Sequence, residues 1–520
     1  MKKPNFLSLL EAACFLLISL LLQSCGGTSN LPIQTEEEPL LTITIEREEQ
    51  RLIEGKESNT LPAIMPELWQ EIFSYLKFED ILPARAVSRD WSKLITGFRE
   101  VGVVGVENKS CHIINTKGWI KRKEINFINN KLKELTPATI PSFTFYHLMG
   151  HVRKLPQSFW THLQKTNIHT LTITDIYNHR IEELVKHLQG TNVHTLFLNS
   201  SRITDEGIEL LAKHFPGTNV HTLLVDHFEV TDKGMDALAK ALKYTKVHTL
   251  YLTGSNIDYK LLEILTANLA ETNVQRLYLG EGGIGKEGVE LWARHLKQTK
   301  LHTLDLYGNF IGDKGACILV QHLREANLHS LLLYNTNIRN KRIESLGKAL
   351  QSTSIRTLDL SENEEIGIEG VVELVKHLQG THVHTLDLRH NNLKNEGMVE
   401  LADNLQGTKV HTLDLSGNYI GDQGVVEFVK HLRGTQIYTV DLSWNKIGDQ
   451  GAGGLARALQ ETQVHTVKLS NNNIGVQGAI EFAKHLQATQ VHTVDLKGND
   501  IGGATHQALR EQYPHIEWYF

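Results

Sequence analysis

Histidine is the residue in this chain whose type and spacing most invite a chemical role. There are 27, and ten recur at one repeating position: His169, His194, His221, His248, His302, His329, His384, His411, His465 and His492. Periodic imidazoles could ligate zinc or carry protons. A zinc site, however, needs ligands that converge on a tetrahedral shell, and a row of one residue type supplies neighbours along a line without the mixed set. Duplication of a unit accounts for the row without a metal, so no metal ion and no cofactor is expected. Stacked imidazoles should instead resist protonation in the folded chain. Stability would then be intact above the ordinary histidine pKa of ~6.5 and decline as pH falls through it.

Catalysis finds no foothold. There is no Gly-x-Ser-x-Gly elbow, no Gly-Lys-Ser/Thr phosphate loop and no His-Glu-x-x-His pair. Gly280, Gly282, Gly283 and Gly285 crowd a turn without opening a dinucleotide-type cradle. The four cysteines, Cys14, Cys25, Cys111 and Cys317, are too few for a disulfide scaffold. A net charge of −6, with 41% hydrophobic and 22% charged residues, describes a folded protein and gives no reason to expect nucleic-acid binding.

The elements that carry the histidines follow from the segments containing His-Thr-Leu. Their first apolar residues are Ile168, Val193, Val220, Val247, Val274, Leu301, Leu328, Ile355, Val383, Val410, Ile437, Val464 and Val491. The spacing is 27 residues, apart from one interval of 25 and one of 28. Such a period identifies a solenoid. In the unit 410–436, Val410, Leu413 and Leu415 alternate as a short strand, and Asn418 and Ile420 turn the chain. Gly421 and Gly424 punctuate the turn, Val425, Phe428, Val429 and Leu432 follow at helical spacing, and Gly434 ends the helix. One strand and one helix per unit resemble the ribonuclease-inhibitor-like leucine-rich repeats, over residues 161 to at least 502. The fold expected is therefore α/β, a leucine-rich-repeat solenoid occupying 161–520. Strands stack at ~4.8 Å and helices at ~8–10 Å, so the array should curve into a horseshoe with the strands on the concave wall. Asn309, Asn363, Asn391, Asn418, Asn445, Asn472 and Asn499 share one repeat position and are assigned to satisfying turn backbone inside the stack. Ile516, Trp518, Tyr519 and Phe520 are expected to close the far end as a last apolar strand.

Strand residues between the inward leucines face the concavity. The central one is Thr172, Phe197, Leu224, Tyr251, Tyr278, Asp305, Leu332, Asp359, Asp387, Asp414, Asp441, Lys468 and Asp495 in successive units, and Tyr307 and Tyr334 lie two residues beyond it. The wall thus passes from apolar and aromatic to acidic. Phe197, Tyr251, Tyr278, Tyr307 and Tyr334 are candidate anchors for a target protein, because aromatics dominate interface energetics. Asp359, Asp387, Asp414 and Asp441 either invite a basic partner or are plain solvated filling; neighbouring carboxylates ~5 Å apart repel by roughly 1 kcal/mol in water.

Upstream of the repeats, Pro66 suits the first turn of a helix, and Leu68, Ile72, Phe73 and Leu76 fall on one face. Val87, Trp91, Leu94 and Ile95 form a second stripe after Pro83. Two or three such helices bury little among themselves and need something to dock on. Residues 61–100 resemble an F-box, a small all-α module through which ubiquitin-ligase receptors hold a Skp-type adaptor. The resemblance implies that Met65, Pro66, Leu68, Ile72, Phe73, Leu76, Val87 and Trp91 form or support the adaptor-binding surface, with Met65 replacing the usual leucine. At the N-terminus, Lys2 and Lys3 precede an apolar run from Ala12 to Leu22, too short to span a bilayer. It ends in Leu22-Gln23-Ser24-Cys25-Gly26, which resembles the lipobox of bacterial lipoproteins and implies a signal at 1–24 and lipid on Cys25. Residues 25–60 read as an acidic linker and 101–160 as a connector or N-terminal cap. Together these features imply a bacterial adaptor exported to a membrane or into a host cytoplasm, where it joins a host Skp-type adaptor and its cullin ligase to a target. The alternative is a lipid-anchored repeat adhesin or scaffold whose helical module is a cap.

Overall fold

The computed structural model describes residues 168–520, apart from positions 175, 200–202 and 255–256, together with Gln164 and three strands further upstream. The chain divides into two compact units, 1–168 and 169–520. In the first, β1 (Val104–Glu107) pairs antiparallel with β2 (Ser110–Ile114), and β2 pairs parallel with β3 (Ser142–Tyr146). The expected signal, acidic linker and helical module at 1–100 lie outside the described residues.

The second unit is a leucine-rich-repeat solenoid. Its strands run from β4 (Thr170–Thr174) to β17 (Glu517–Tyr519) and pair in parallel, each with the next in the chain. Its helices run from α1 (Asn178–Leu188) to α13 (Gly503–Gln512), each packed against its successor. The unit 410–436 shows why. Val410, Leu413, Leu415, Ile420, Val425, Phe428, Val429 and Leu432 are all fully buried, so strand period and helix period feed one core. Its helix begins at Asp422, whose charge suits the N-terminal end, and finishes at Lys430, whose charge suits the other. Thr435 then donates its hydroxyl to the Leu432 carbonyl at 2.7 Å. The same threonine device recurs at Thr191, Thr245, Thr381 and Thr462. At the far end β17 completes the sheet, with Trp518 buried and its indole N–H donated to the Tyr513 carbonyl at 3.3 Å.

The recurrent asparagines are the fasteners between units. Asn418 accepts on Oδ1 from the amides of Asn391 (2.8 Å) and Leu393 (3.4 Å), and donates Nδ2 to the carbonyls of Leu388 (2.8 Å) and Ser416 (3.1 Å). Asn445, one period on, and Asn363, two periods back, repeat the arrangement. Each fixes the turn of the unit before it, so the strand row downstream is held in register by side chains as well as by the sheet.

Candidate protein-binding surface

That register sets the functional geometry. Thr172, Phe197, Leu224, Tyr251, Tyr278, Asp305, Leu332, Asp359, Asp387, Asp414, Asp441, Lys468 and Asp495 stand opposite one another on successive strands, a single line across the sheet. Phe197 lies near one end between Thr172 and Leu224, half-buried. The four tyrosines form two stacks: Tyr251 on Tyr278 with centroids 4.0 Å apart, and Tyr307 on Tyr334 at 4.2 Å. Stacking holds the rings as flat plates, which lowers the entropic cost of using them in an interface.

The aspartates are less free than a solvated stripe. Every one folds its Oδ1 back onto the amide two residues ahead: Asp305 to Tyr307 (2.8 Å), Asp359 to Ser361 (2.9 Å), Asp387 to Arg389 (3.0 Å), Asp414 to Ser416 (2.9 Å) and Asp441 to Ser443 (3.0 Å). The row therefore caps the strand ends, and a picture of fully hydrated carboxylates repelling through water is corrected accordingly. Part of the row is also neutralised from within. Arg389 pairs with Asp387 at 2.9 Å and reaches Asp414 at 3.7 Å, and Lys468 pairs with Asp441 at 3.2 Å. Burial pushes the Asp305 and Asp414 carboxyls up to about 6 and raises those of Asp359 and Asp387. Burial, with Tyr278 alongside, lifts the Tyr251 hydroxyl to about 12, and burial with Asp305 nearby raises that of Tyr334.

The histidines form a broken ladder along the strand entry. His169, His194, His221 and His248 stack at 5.0–5.5 Å, Gln275 interrupts, His302 and His329 pair at 5.4 Å, and Arg356 interrupts again. His384 and His411 then continue through Tyr438 to His465 and His492. Desolvation, and then neighbouring cationic groups, hold His194, His221, His248, His329 and His384 below the ordinary 6.5. Among the described residues no group of three or more His, Cys, Asp or Glu side chains is placed to hold a metal ion.

These two sets of shifts oppose each other. A histidine whose folded pKa is depressed stabilises fully above 6.5, and that stability is lost as pH falls through 6.5. An aspartate whose folded pKa is raised destabilises at neutral pH, and that penalty is relieved as pH falls below about 6. The melting temperature should therefore drop between about pH 7.5 and 6 and then flatten toward about pH 5. In an Asp305→Asn/Asp414→Asn double variant it should start higher at about pH 7.5 and keep falling below about pH 6. Thermal melts of both proteins across this range check the assignment; parallel curves below about pH 6 would refute it.

A third feature had no signal in the helix and strand periods. Phe310 (65% exposed), Trp444 (64% exposed) and Tyr419 protrude from the loops that follow the strands. All three hold left-handed backbone, with φ of 44°, 56° and 60°. Trp444 occupies the repeat position that Gly308, Gly417 and Gly498 fill elsewhere with positive φ. For Trp444, a bulky residue where three counterparts are glycine is the available clue; Phe310 and Tyr419, one position past the repeat asparagine, carry none. Two adjoining grooves of about 570 Å³ each run along this edge, sharing Glu364 and His390, with Phe310 lining one and Tyr419 the other.

The adaptor-binding residues expected at Met65, Pro66, Leu68, Ile72, Phe73, Leu76, Val87 and Trp91, and the lipidation site expected at Cys25, lie outside the described residues. Comparison by sequence nevertheless supports the module itself. Residues 66–98 match the F-box-like family, and residues 297–316, 351–375, 381–402, 408–429 and 439–456 match the Leucine Rich repeat family. The chain thus combines an F-box-like segment with leucine-rich repeats, an architecture of protein-interaction adaptors in which no catalytic domain is matched. No curated protein matches the chain. Among solved structures it is similar to the complex of Rad7 and Elc1 from yeast, with 12% identity over 84% of this chain and 94% of the other, at a TM-score of 0.40. An internalin (inlF) of Listeria monocytogenes is similar at 16% identity over 76% and 93%, TM-score 0.31. A leucine-rich-repeat protein of Leptospira interrogans is similar at 16% over 78% and 93%, TM-score 0.33.

Proposed function

We propose that this protein is a non-enzymatic substrate receptor of bacterial origin: its F-box-like segment recruits a Skp-type adaptor of a host cullin ubiquitin ligase, and the strand face of its repeats holds the protein to be modified. The observation that carries this reading is the F-box-like match at 66–98 ahead of a solenoid whose strand face presents stacked tyrosines. The chain performs no chemistry. It raises the effective concentration of a target beside the ligase, which needs two binding surfaces and no active site.

A binding assay of the full-length chain against a purified eukaryotic Skp-type adaptor tests it. Saturable binding is expected, weakened by at least about tenfold in Trp91→Ala and in Leu76→Ala, since truncated apolar anchors at an interface centre cost ~2 kcal/mol or more. Both variants should keep the wild-type melting transition of the repeats. The lipobox ending at Cys25 favours a second reading, a lipid-anchored adhesin or scaffold. Absence of binding at micromolar concentration would transfer the account to it.

A further inference from the structure

Resting on the reading of the strand face as the target side, we propose that Asp305, flanked by the stacked pairs Tyr251–Tyr278 and Tyr307–Tyr334, is a receptor for an arginine side chain of the captured protein.

The acidic row supplies its own cations at one end only: Arg389 serves Asp387 and Asp414, and Lys468 serves Asp441. At the other end Asp305 and Asp359 have no lysine or arginine within ion-pair distance among the described residues, and the same holds for Glu281 and Glu362 beside them. Asp305 is only 8% exposed. One of its oxygens accepts the Tyr307 amide at 2.8 Å, and the other accepts from no group among the described residues. That second oxygen is not fully buried, so a ligand can reach it, and a hydrogen-bonded cation would offset the lost hydration of a carboxylate this deeply set.

Shape narrows the cation. Asp305 stands beside Tyr278 on the neighbouring strand, and Tyr307 is two residues along on the same face. In register, Asp305 continues the row of Tyr251 and Tyr278, while Tyr307 and Tyr334 lie two residues beyond Asp305 and its strand neighbour Leu332, so the carboxylate adjoins both stacks. Tyr307 donates its hydroxyl to Glu281 at 3.0 Å, which orients that ring at the rim. Flat aromatic plates beside a carboxylate suit a planar guanidinium, which stacks on a ring while forking onto an acid. A metal ion suits the place poorly, since among the described residues no three ligating side chains converge there.

The test uses the full-length protein and two end-capped peptides, one alternating arginine with glycine and one with citrulline, the uncharged isostere, in place of arginine. Calorimetry should show saturable binding of the arginine peptide, at least about tenfold tighter than that of the citrulline peptide. Asp305→Asn should weaken it about tenfold, as should Tyr334→Leu. Asp305→Asn retains an oxygen for the Tyr307 amide and removes a buried charge, so its fold should survive. Asp495→Asn, far along the same row, should change nothing. No saturable binding of the arginine peptide, equal affinity for the two peptides, or unchanged affinity in Asp305→Asn would overturn the proposal. The adaptor assay is read separately: arginine capture that depends on Asp305 without adaptor binding sinks the ligase reading and leaves this site standing. Adaptor binding with capture indifferent to Asp305 does the reverse.

Discussion

Asn418→Ala should destabilise the repeat domain by about 3–5 kcal/mol, because it strands polar groups that have no other partner. Removing the amide leaves the Asn391 N–H and the Leu388 carbonyl unpaired inside the stack, where they now meet the side chain at 2.8 Å. The Ser416 carbonyl fares better, since it also accepts the His390 amide at 3.0 Å. Two buried orphans at ~1–3 kcal/mol each set the scale, and the lost side-chain packing adds to it. In a one-dimensional array the damage is local before it is global, as each unit touches only its neighbours. Hydrogen exchange should therefore accelerate first at Asn391 and Leu393, with the midpoint of urea unfolding lowered as a whole. Asn404→Ala, which loses only a bond to the Glu400 carbonyl on its own helix, is the control and should stay within about 0.5 kcal/mol of wild type. Equal effects of the two substitutions would show that the asparagine row does not fasten the solenoid.

The repeat fold was legible because burial is periodic: Leu413, Leu415, Phe428 and Val429 must reach one core in every unit, so the sequence states them every 27 residues. The asparagine role was legible for the same reason. The row of strand residues came out as one line because the strands align in register, which a constant period guarantees. What escaped was which partner each individual polar side chain takes, inside its own unit or across to the next. Asp359 reads as a surface acid, yet it is 9% exposed and takes both the amide and the hydroxyl of Ser361. An Asp-Leu-Ser string carries that signal, and it repeats at Asp414 and Ser416. The cations that neutralise the row come from different places: Arg389 is two residues from one aspartate, whereas Lys468 sits a full period from its own. Nor did the periodic histidines reveal their breaks at Gln275, Arg356 and Tyr438 as breaks in stacking, since ring contact depends on what the neighbouring unit places alongside.

In the sequence the glycines of the helix starts look like turn punctuation, and their physical cause is a neighbour one period away. Gly451 lies in the first turn of the helix Asp449–Ala458, where alanine has the better helix propensity by up to ~1 kcal/mol. Propensity alone would make Gly451→Ala stabilising. A methyl group there, however, would sit 2.9 Å from the Asp422 Cα and 2.9 Å from the Ile447 Cγ2, and would press on Asp422 Oδ1. That same oxygen accepts the Gly448 amide at 2.6 Å and so caps this helix from the preceding unit. Accommodating the methyl means shifting backbone, at ~1–3 kcal/mol, and loosening the cap, at ~1 kcal/mol. Gly451→Ala should therefore destabilise by about 1–3 kcal/mol net. Gly453→Ala, in the same helix, meets only flexible side chains, Glu481 at 3.0 Å and the Arg457 tip at 3.8 Å, and should be neutral or stabilising by up to ~1 kcal/mol. Opposite signs from two glycines two residues apart, measured by urea unfolding, would establish that a close approach between units keeps Gly451. Asp422→Ala in the Gly451→Ala background should recover only part of the loss, because the Cα stays where it is. Full recovery would assign the whole effect to the carboxylate, and the backbone contact would then have no part in it.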